Sequence, residues 1–172
     1  QVRAVLDAYA GRSDVVLTSG GVSAGAYEVV KDAFGPGAGV EFVADHGGAG
    51  VEFVKVAMQP GMPQGAGTLP DRRSIITLPV NPVSALVSYE VFVRPALRTA
   101  MGLPNPHRPL RTAALAEALT SPAGKRQFRR GVYDPETATV TSYGPPASHH
   151  LRWLASANCL LDVPAEVTEI SA

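Results

Sequence analysis

Apolar residues at Val2, Val5, Leu6 and Tyr9 recur at helical spacing and stop before Gly11, so the chain opens on a short helix with no N-terminal cap. Asp14–Thr18 reads DVVLT, an apolar run that suits a buried strand. SGGVSAG follows at residues 19–25, and a helical pattern covers Ala26–Phe34. Strand, glycine-rich loop and helix form half of an α/β phosphate-binding unit. GAGVEFV then occurs twice, at residues 37–43 and 48–54. The second copy continues into KVAMQPGMPQG and is the expected functional strand; the first reads as an added strand or as a loop. Ser74–Leu78 is a further apolar strand, followed by PVNPVS and a helical pattern over Val83–Met101 that Pro95 should kink or divide. Gly102–Arg108, with Pro104 and Pro106, reads as a linker. Beyond it the period shortens to strands over Arg111–Leu119, Gln127–Tyr133 and Thr137–Tyr143, with DPET as a tight turn between the last two. A short helix over Leu151–Ala157 and a last strand over Asn158–Val163 complete the pattern.

This pattern predicts an α/β part over residues 1–104 and a small β-rich, barrel-like part over 105–172. Composition supports a packed core in 172 residues, with 45% hydrophobic and 17% charged side chains. Fifteen Lys and Arg balance fifteen Asp and Glu, so no basic field is present to neutralise a polyphosphate, and nucleic acid is not the expected partner. The single cysteine, Cys159, rules out an internal disulfide and fits a reducing, cytoplasmic setting. No apolar run reaches the roughly 18 residues of a membrane span, and no signal peptide is visible. The chain starts with Gln1 rather than Met, which reads as part of something longer.

SGGVSAG has the residues of an anion cradle: glycines that admit a close backbone approach, hydroxyls at Ser19 and Ser23, and the amides that open the following helix. The alternative is a plain strand-to-helix turn. Lys55 ends the second repeat and suits an anionic oxygen, or else is a surface lysine with a buried stem. Pro60-Gly61-Met62-Pro63 and Pro79-Val80-Asn81-Pro82 build stiff turns, and Ser84 is placed to cap the helix that follows. Lys125, Arg126, Arg129 and Arg130 form a basic cluster that reads as a solvated strand face or as a phosphate contact. His149 and His150 are adjacent and would point to opposite faces of a strand, so they do not share a metal, and no His/Cys spacing reads as zinc. Trp153 and Cys159 read as core.

Four segments together resemble the molybdopterin molybdenumtransferase family, which includes the E domain of gephyrin: SGGVSAG at 19–25, KVAMQPGMPQG at 55–65, LPVNPVS at 78–84 and, more loosely, RQFRRG…ASHHL at 126–151. The first three in series are specific. The related pterin adenylyltransferases have a TGGTG loop where this chain has SGGVS. The resemblance implies a partial three-layer molybdopterin-binding domain followed by a small β-barrel-like domain. It further implies adenylated molybdopterin and molybdate as substrates, AMP as product, and Mg2+ or another divalent metal as cofactor. Carried over residue by residue, Ser19, Gly20, Gly21 and Ser23 cradle substrate phosphate. Lys55 and Glu28 are the catalytic candidates, with Glu28, where the family has aspartate, also the metal ligand. Gln59, where the family often has a second lysine, lies with Pro60, Gly61, Pro79, Asn81, Pro82 and Ser84 along the molybdate pocket. Arg130 and Ser148 face the cleft from the β domain.

Val80 stands where the family has glycine, so the expectation is a turn forced either into the left-handed region or into a new shape, with Val80→Gly improving oxyanion binding. The family's acidic TGDE-type loop would lie before Gln1, which implies an incomplete enzyme whose full-length form is a homodimer. A non-catalytic scaffold remnant of the same fold, or an adenylyltransferase-like protein, are the alternatives.

Overall fold

Strand pairing organises both halves of the chain. The computed structural model describes residues 2–9, 11–20, 33, 50–145 and 151–172. They fall into two compact units, Gln1–Val56 with Pro63–Val80, and Ala57–Met62 with Asn81–Ala172.

In the first unit the opening helix is α1 (Val2–Ala8) and the VVLTS run is β1 (Val15–Ser19). The second GAGVEFV copy supplies β2 (Gly50–Lys55); its first copy, at 37–43, lies outside the described residues. β3 (Met58–Gln59) belongs to the second unit, whereas β4 (Pro63–Thr68) and β5 (Ser74–Leu78) complete the first. The sheet order is β1-β5-β4-β2. β5 is parallel to β1, β4 antiparallel to β5, and β2 antiparallel to β4, so β1, β5 and β2 all point the same way. Alternation turns Val16, Val51 and Ile75 to one face, where they form a core with Leu69; Leu6, Ala33 and Phe53 pack against it.

Arg73 ties α1 to this sheet. Its guanidinium donates to the carbonyls of Leu6 (3.0 Å) and Tyr9 (3.4 Å), to Ser13 Oγ (2.9 Å) and to Asp71 (2.7 Å). The last carbonyls of a helix are unpaired and carry partial negative charge, and a fixed cation satisfies both needs. Hydrogen bonding to Arg73 in turn holds the Asp71 carboxyl below its ordinary range.

The second unit begins with a helical segment in three registers: α2 (Pro82–Ser88), a π-helical turn (Tyr89–Val93) and α3 (Arg94–Ala100). Pro95 has no N–H and its ring crowds the carbonyl four residues back. The chain answers by widening just ahead of it, where the Arg94 N–H reaches Tyr89 O, so the expected break is a change of register. The linker is held against these helices. Arg94 donates to Pro106 O (2.8 Å), Arg98 to Pro104 O (2.7 Å) and Asn105 O (3.3 Å), and Arg108 makes a two-pronged pair with Glu90 (2.8 and 2.9 Å).

The remaining strands are β6 (Ala114–Leu115), β7 (Leu119–Thr120), β8 (Arg126–Asp134), β9 (Thr139–Ser142), β10 (Cys159–Val163) and β11 (Glu169–Ile170), with α4 (Leu151–Ser156) between β9 and β10. The expected strand over Arg111–Leu119 is thus two short pieces, and β11 is an addition. β10-β8-β9-β6 form one sheet, β3 also pairs with β8, and β11 pairs with β7. The DPET turn is as expected: Asp134 accepts from Glu136 N and from Thr137 Oγ1, each at 2.9 Å. β8 carries β10 along Gln127–Gly131 on one edge. On its other edge β3 covers Arg126–Gln127 and β9 covers Gly131–Asp134, which leaves a notch at Phe128–Arg130.

Candidate functional site

At the carboxyl ends of parallel strands the side-chain layers give way to loops, and ligands of open α/β sheets bind there. In the first unit that end is assembled from β1, β5 and β2. Gly20 follows β1 and donates its N–H to Leu78 O at 3.0 Å, joining the tips of β1 and β5. Its φ of 98° is open to glycine and strained for other residues. The registers Thr18↔Thr77, Gly65↔Thr77 and Phe53↔Gly65 set one level across the sheet. Two residues further along each chain, Gly20, Pro79 and Lys55 share the sheet end. Lys55 stands three strand spacings from Gly20, about 14 Å, a span that suits an extended ligand rather than a single phosphate. Lys55 and Ser19 are exposed and Pro79 is buried. The Gly20 amide is thereby committed to Leu78. Gly21, Ser23 and Glu28 lie outside the described residues, as do Ser148, His149 and His150.

The LPVNP turn corrects two expectations. Val80 is not among the residues with positive φ, and its side chain is 68% exposed. Its Cγ2 lies 3.5 Å from where a Cβ on Gly20 would stand, so valine covers the glycine that does need the left-handed region. The helix cap is Asn81, not Ser84: Asn81 Oδ1 accepts from Val83 N at 3.2 Å, and Pro82 occupies the first helical turn. Ser84 is buried in that turn. Val80→Gly is therefore expected to lower stability by about 0.4–1 kcal/mol through unfolded-state freedom, with no gain in oxyanion affinity. Paired melting and titration measurements check this, and tighter binding in the variant would restore the earlier expectation.

The second unit gathers a different set. Gln59 on β3 lies opposite Gln127 on β8, and Gln127 Nε2 donates to Gln59 Oε1 at 3.2 Å. Pro60 and Gly61 follow, both buried, and Gly61 has a φ of 98°. Pro60, Val83, Phe128, Arg129, Arg130 and Gly144 line a cavity of about 10 Å³ at the β8 notch, room for about one water. A larger ligand meets only its mouth.

Strand alternation breaks up the basic cluster. Arg126 pairs with Asp162, its Nε 2.7 Å from Oδ1, and Arg129 reaches Thr120 O at 3.3 Å. Arg130 is 4% exposed and donates to Pro145 O. Burial lowers the pKa of both Arg129 and Arg130, and each other's charge adds to the effect at Arg129. Sequence reasoning missed Val83, Phe128 and Gly144 as lining residues; Phe128 sat inside the RQFRRG motif, but nothing in YGPP marked Gly144. Among the described residues no group of three or more His, Cys, Asp or Glu side chains could hold a metal ion.

Residues 1–99 match the family model described as a probable molybdopterin binding domain, and residues 112–172 match the MoeA C-terminal region (domain IV). The chain is 65% identical to molybdopterin molybdenumtransferase 2 of Mycobacterium tuberculosis, over 100% of its own length and 41% of that protein. It is 37% identical to molybdopterin molybdenumtransferase 1 of the same organism, over 96% of this chain and 38% of that one. In fold it is similar to the molybdopterin biosynthesis moeA protein of Pyrococcus horikoshii, with a TM-score of 0.69 at 19% identity, covering 99% of this chain and 36% of that one. The chain therefore spans about two fifths of the length of the curated relatives it matches.

Proposed function

Since this chain belongs to the molybdopterin-binding domain family, we propose that it supplies this portion of a molybdopterin molybdenumtransferase, an enzyme that inserts molybdenum from molybdate into adenylated molybdopterin with release of AMP. The observation that carries the reading is Arg130. It is buried on β8, held by the Pro145 carbonyl, and disfavoured as a cation by its surroundings. A guanidinium carries five N–H donors in a planar fork, a shape that matches the oxygens of a tetrahedral oxyanion, and one acceptor such as the Pro145 carbonyl fixes its plane. In this reading Arg130 takes the molybdate oxygen at the mouth of the notch, and Gln59 lends a polar edge without charge. Asn81, Pro82 and Ser84 of the second unit are read as further pocket residues, and Pro79 as a contact on the first unit's sheet end. Ser19 and the loop through Gly20, Gly21 and Ser23 take the substrate phosphate, and Lys55, three strands away, meets another anionic part of the same extended ligand. Ser148 belongs to the same reading as a second polar contact.

The chemistry these residues contribute is electrostatic positioning: fixed positive groups stabilise charge that builds as the phosphoanhydride opens and AMP leaves. The divalent metal expected at Glu28, Mg2+ in the first instance, belongs to this proposal, and the roles above are derived without it. The match to the MoeA C-terminal region favours this branch over adenylyltransferase chemistry. A domain boundary near residue 104 is part of the reading, with the two family matches ending at 99 and resuming at 112. We read the full-length protein as a cytoplasmic homodimer. Among the described residues no helix is long and apolar enough to cross a membrane.

Titration calorimetry with molybdate tests the proposal. The chain should bind, and Arg130→Ala should weaken binding by about tenfold or more, the loss of one charge-assisted contact of roughly 1.5–3 kcal/mol. Unchanged affinity in Arg130→Ala, in a variant that melts like the parent, would sink it.

A further inference from the structure

Beyond the residues that line the notch, the chain's single tryptophan is placed to govern it. Trp153 sits half-buried on α4. A Cβ on Gly144 would fall 2.6 Å from both Cγ and Cδ2 of its indole, so the ring occupies the space a side chain at 144 would need. Tyr143 meets the same ring edge-on, with centroids 5.0 Å apart and planes at 78°. The Arg152 guanidinium lies 5.2 Å from the ring centroid. Residues 143–145, gripped in this way, themselves grip Arg130 at two points: the Tyr143 N–H donates to Arg130 O at 2.8 Å, and Pro145 O accepts from the guanidinium. Gly144 also lines the cavity beside Arg130.

We infer that Trp153 is a positioning residue for Arg130: its indole fixes the Tyr143–Pro145 turn, and the turn fixes the direction of the guanidinium toward an incoming oxyanion. An arginine side chain has many rotamers, and its fork recognises an oxyanion only in a narrow range of orientations. The indole limits the turn from one side, and Gly144 is the residue that lets it come close enough. This inference rests on the reading of Arg130 as an oxyanion contact.

A double-mutant cycle on the 172-residue chain tests it, with molybdate as the probe in calorimetric titration. Trp153→Ala should weaken binding about fivefold, the scale of coupling between residues in one network, and Trp153→Phe should recover most of the loss. In an Arg130→Ala background, Trp153→Ala should cost nothing further. A purely structural role would instead lower affinity equally in both backgrounds, and that additive result overturns the inference. So does parental affinity in Trp153→Ala. Should Trp153→Ala not fold, Gly144→Ala serves: pushing the ring should shift the Trp153 emission and weaken molybdate binding together, and a shift with parental affinity overturns the inference. If Arg130→Ala alone leaves affinity unchanged, the oxyanion reading fails and this inference falls with it. If Arg130→Ala loses affinity and Trp153→Ala does not, only the role of Trp153 falls.

Discussion

Replacing Ile75 by alanine should remove about 2–5 kcal/mol from the stability of the first unit. Ile75 is fully buried, and its strand β5 is paired on both sides, to β1 and to β4. Its core partners are few, Val16, Val51 and Leu69, so little can collapse into the space left behind. Domains of this size hold roughly 5–15 kcal/mol in all, and the substitution therefore takes a large share. Urea unfolding followed by circular dichroism measures it. A midpoint shift equivalent to less than about 1 kcal/mol would mean that the core repacks around the loss, contrary to expectation.

Gly67→Ala should be damaging for the opposite reason. A Cβ there would lie 2.7 Å from Val51 Cα on the neighbouring strand, and backbone cannot rotate aside as a side chain can. Overpacking typically costs about 1–3 kcal/mol, and a clash with backbone belongs at the upper end. β2 should loosen from β4 first, so hydrogen exchange should speed up along Val51–Lys55 before it does in β1 and β5. Ala66 points to the exposed face, and Ala66→Ser should stay within about 0.5 kcal/mol. Equal effects from the two changes would contradict the packing described for Gly67.

The same glycine explains why β4 was hidden in the sequence. PQGAGT carries Gly65 and Gly67 where strands favour branched or aromatic side chains, so its composition reads as loop. In the sheet those glycines face Phe53 and the β2 backbone, and the space they leave is filled from the neighbouring strand. Nothing local in a sequence reports such a long-range fit. β1, β2 and β5 were legible because their apolar residues are dense enough to show which face is buried. Pro95 announced a break, but whether the helix would bend, end or change register depends on packing that the period of 3.6 does not encode. The motifs singled out Gly20 and Lys55, which share one end of the first unit's sheet, and Gln59 and Arg130, which the second unit carries on β3 and β8. Asn81 caps its helix, and Asn-Pro at the mouth of a helix is a cap signal present in the sequence itself. The family glycine at position 80 suggests a left-handed residue there, whereas the positive φ near this turn is at Gly20, close to which the Val80 side chain lies.

The linker after α3 changes what counts as a mild substitution. Composition marks Gly102–Arg108 as a linker, yet Arg94, Arg98 and Arg108 lash it to the helical segment. Hydrogen bonding to Arg108 lowers the pKa of Glu90, so the contribution of this pair is complete above the ordinary glutamate range and fades only as pH falls through the lowered value. Arg98 bridges two successive carbonyls, those of Pro104 and Asn105, with separate nitrogens of one planar group. A lysine ammonium is a single point at the end of a flexible stem and does not reproduce that fork. Drift from arginine to lysine, which keeps the charge and passes unnoticed on most protein surfaces, would here cut a lashing and return the segment to the linker its composition suggests.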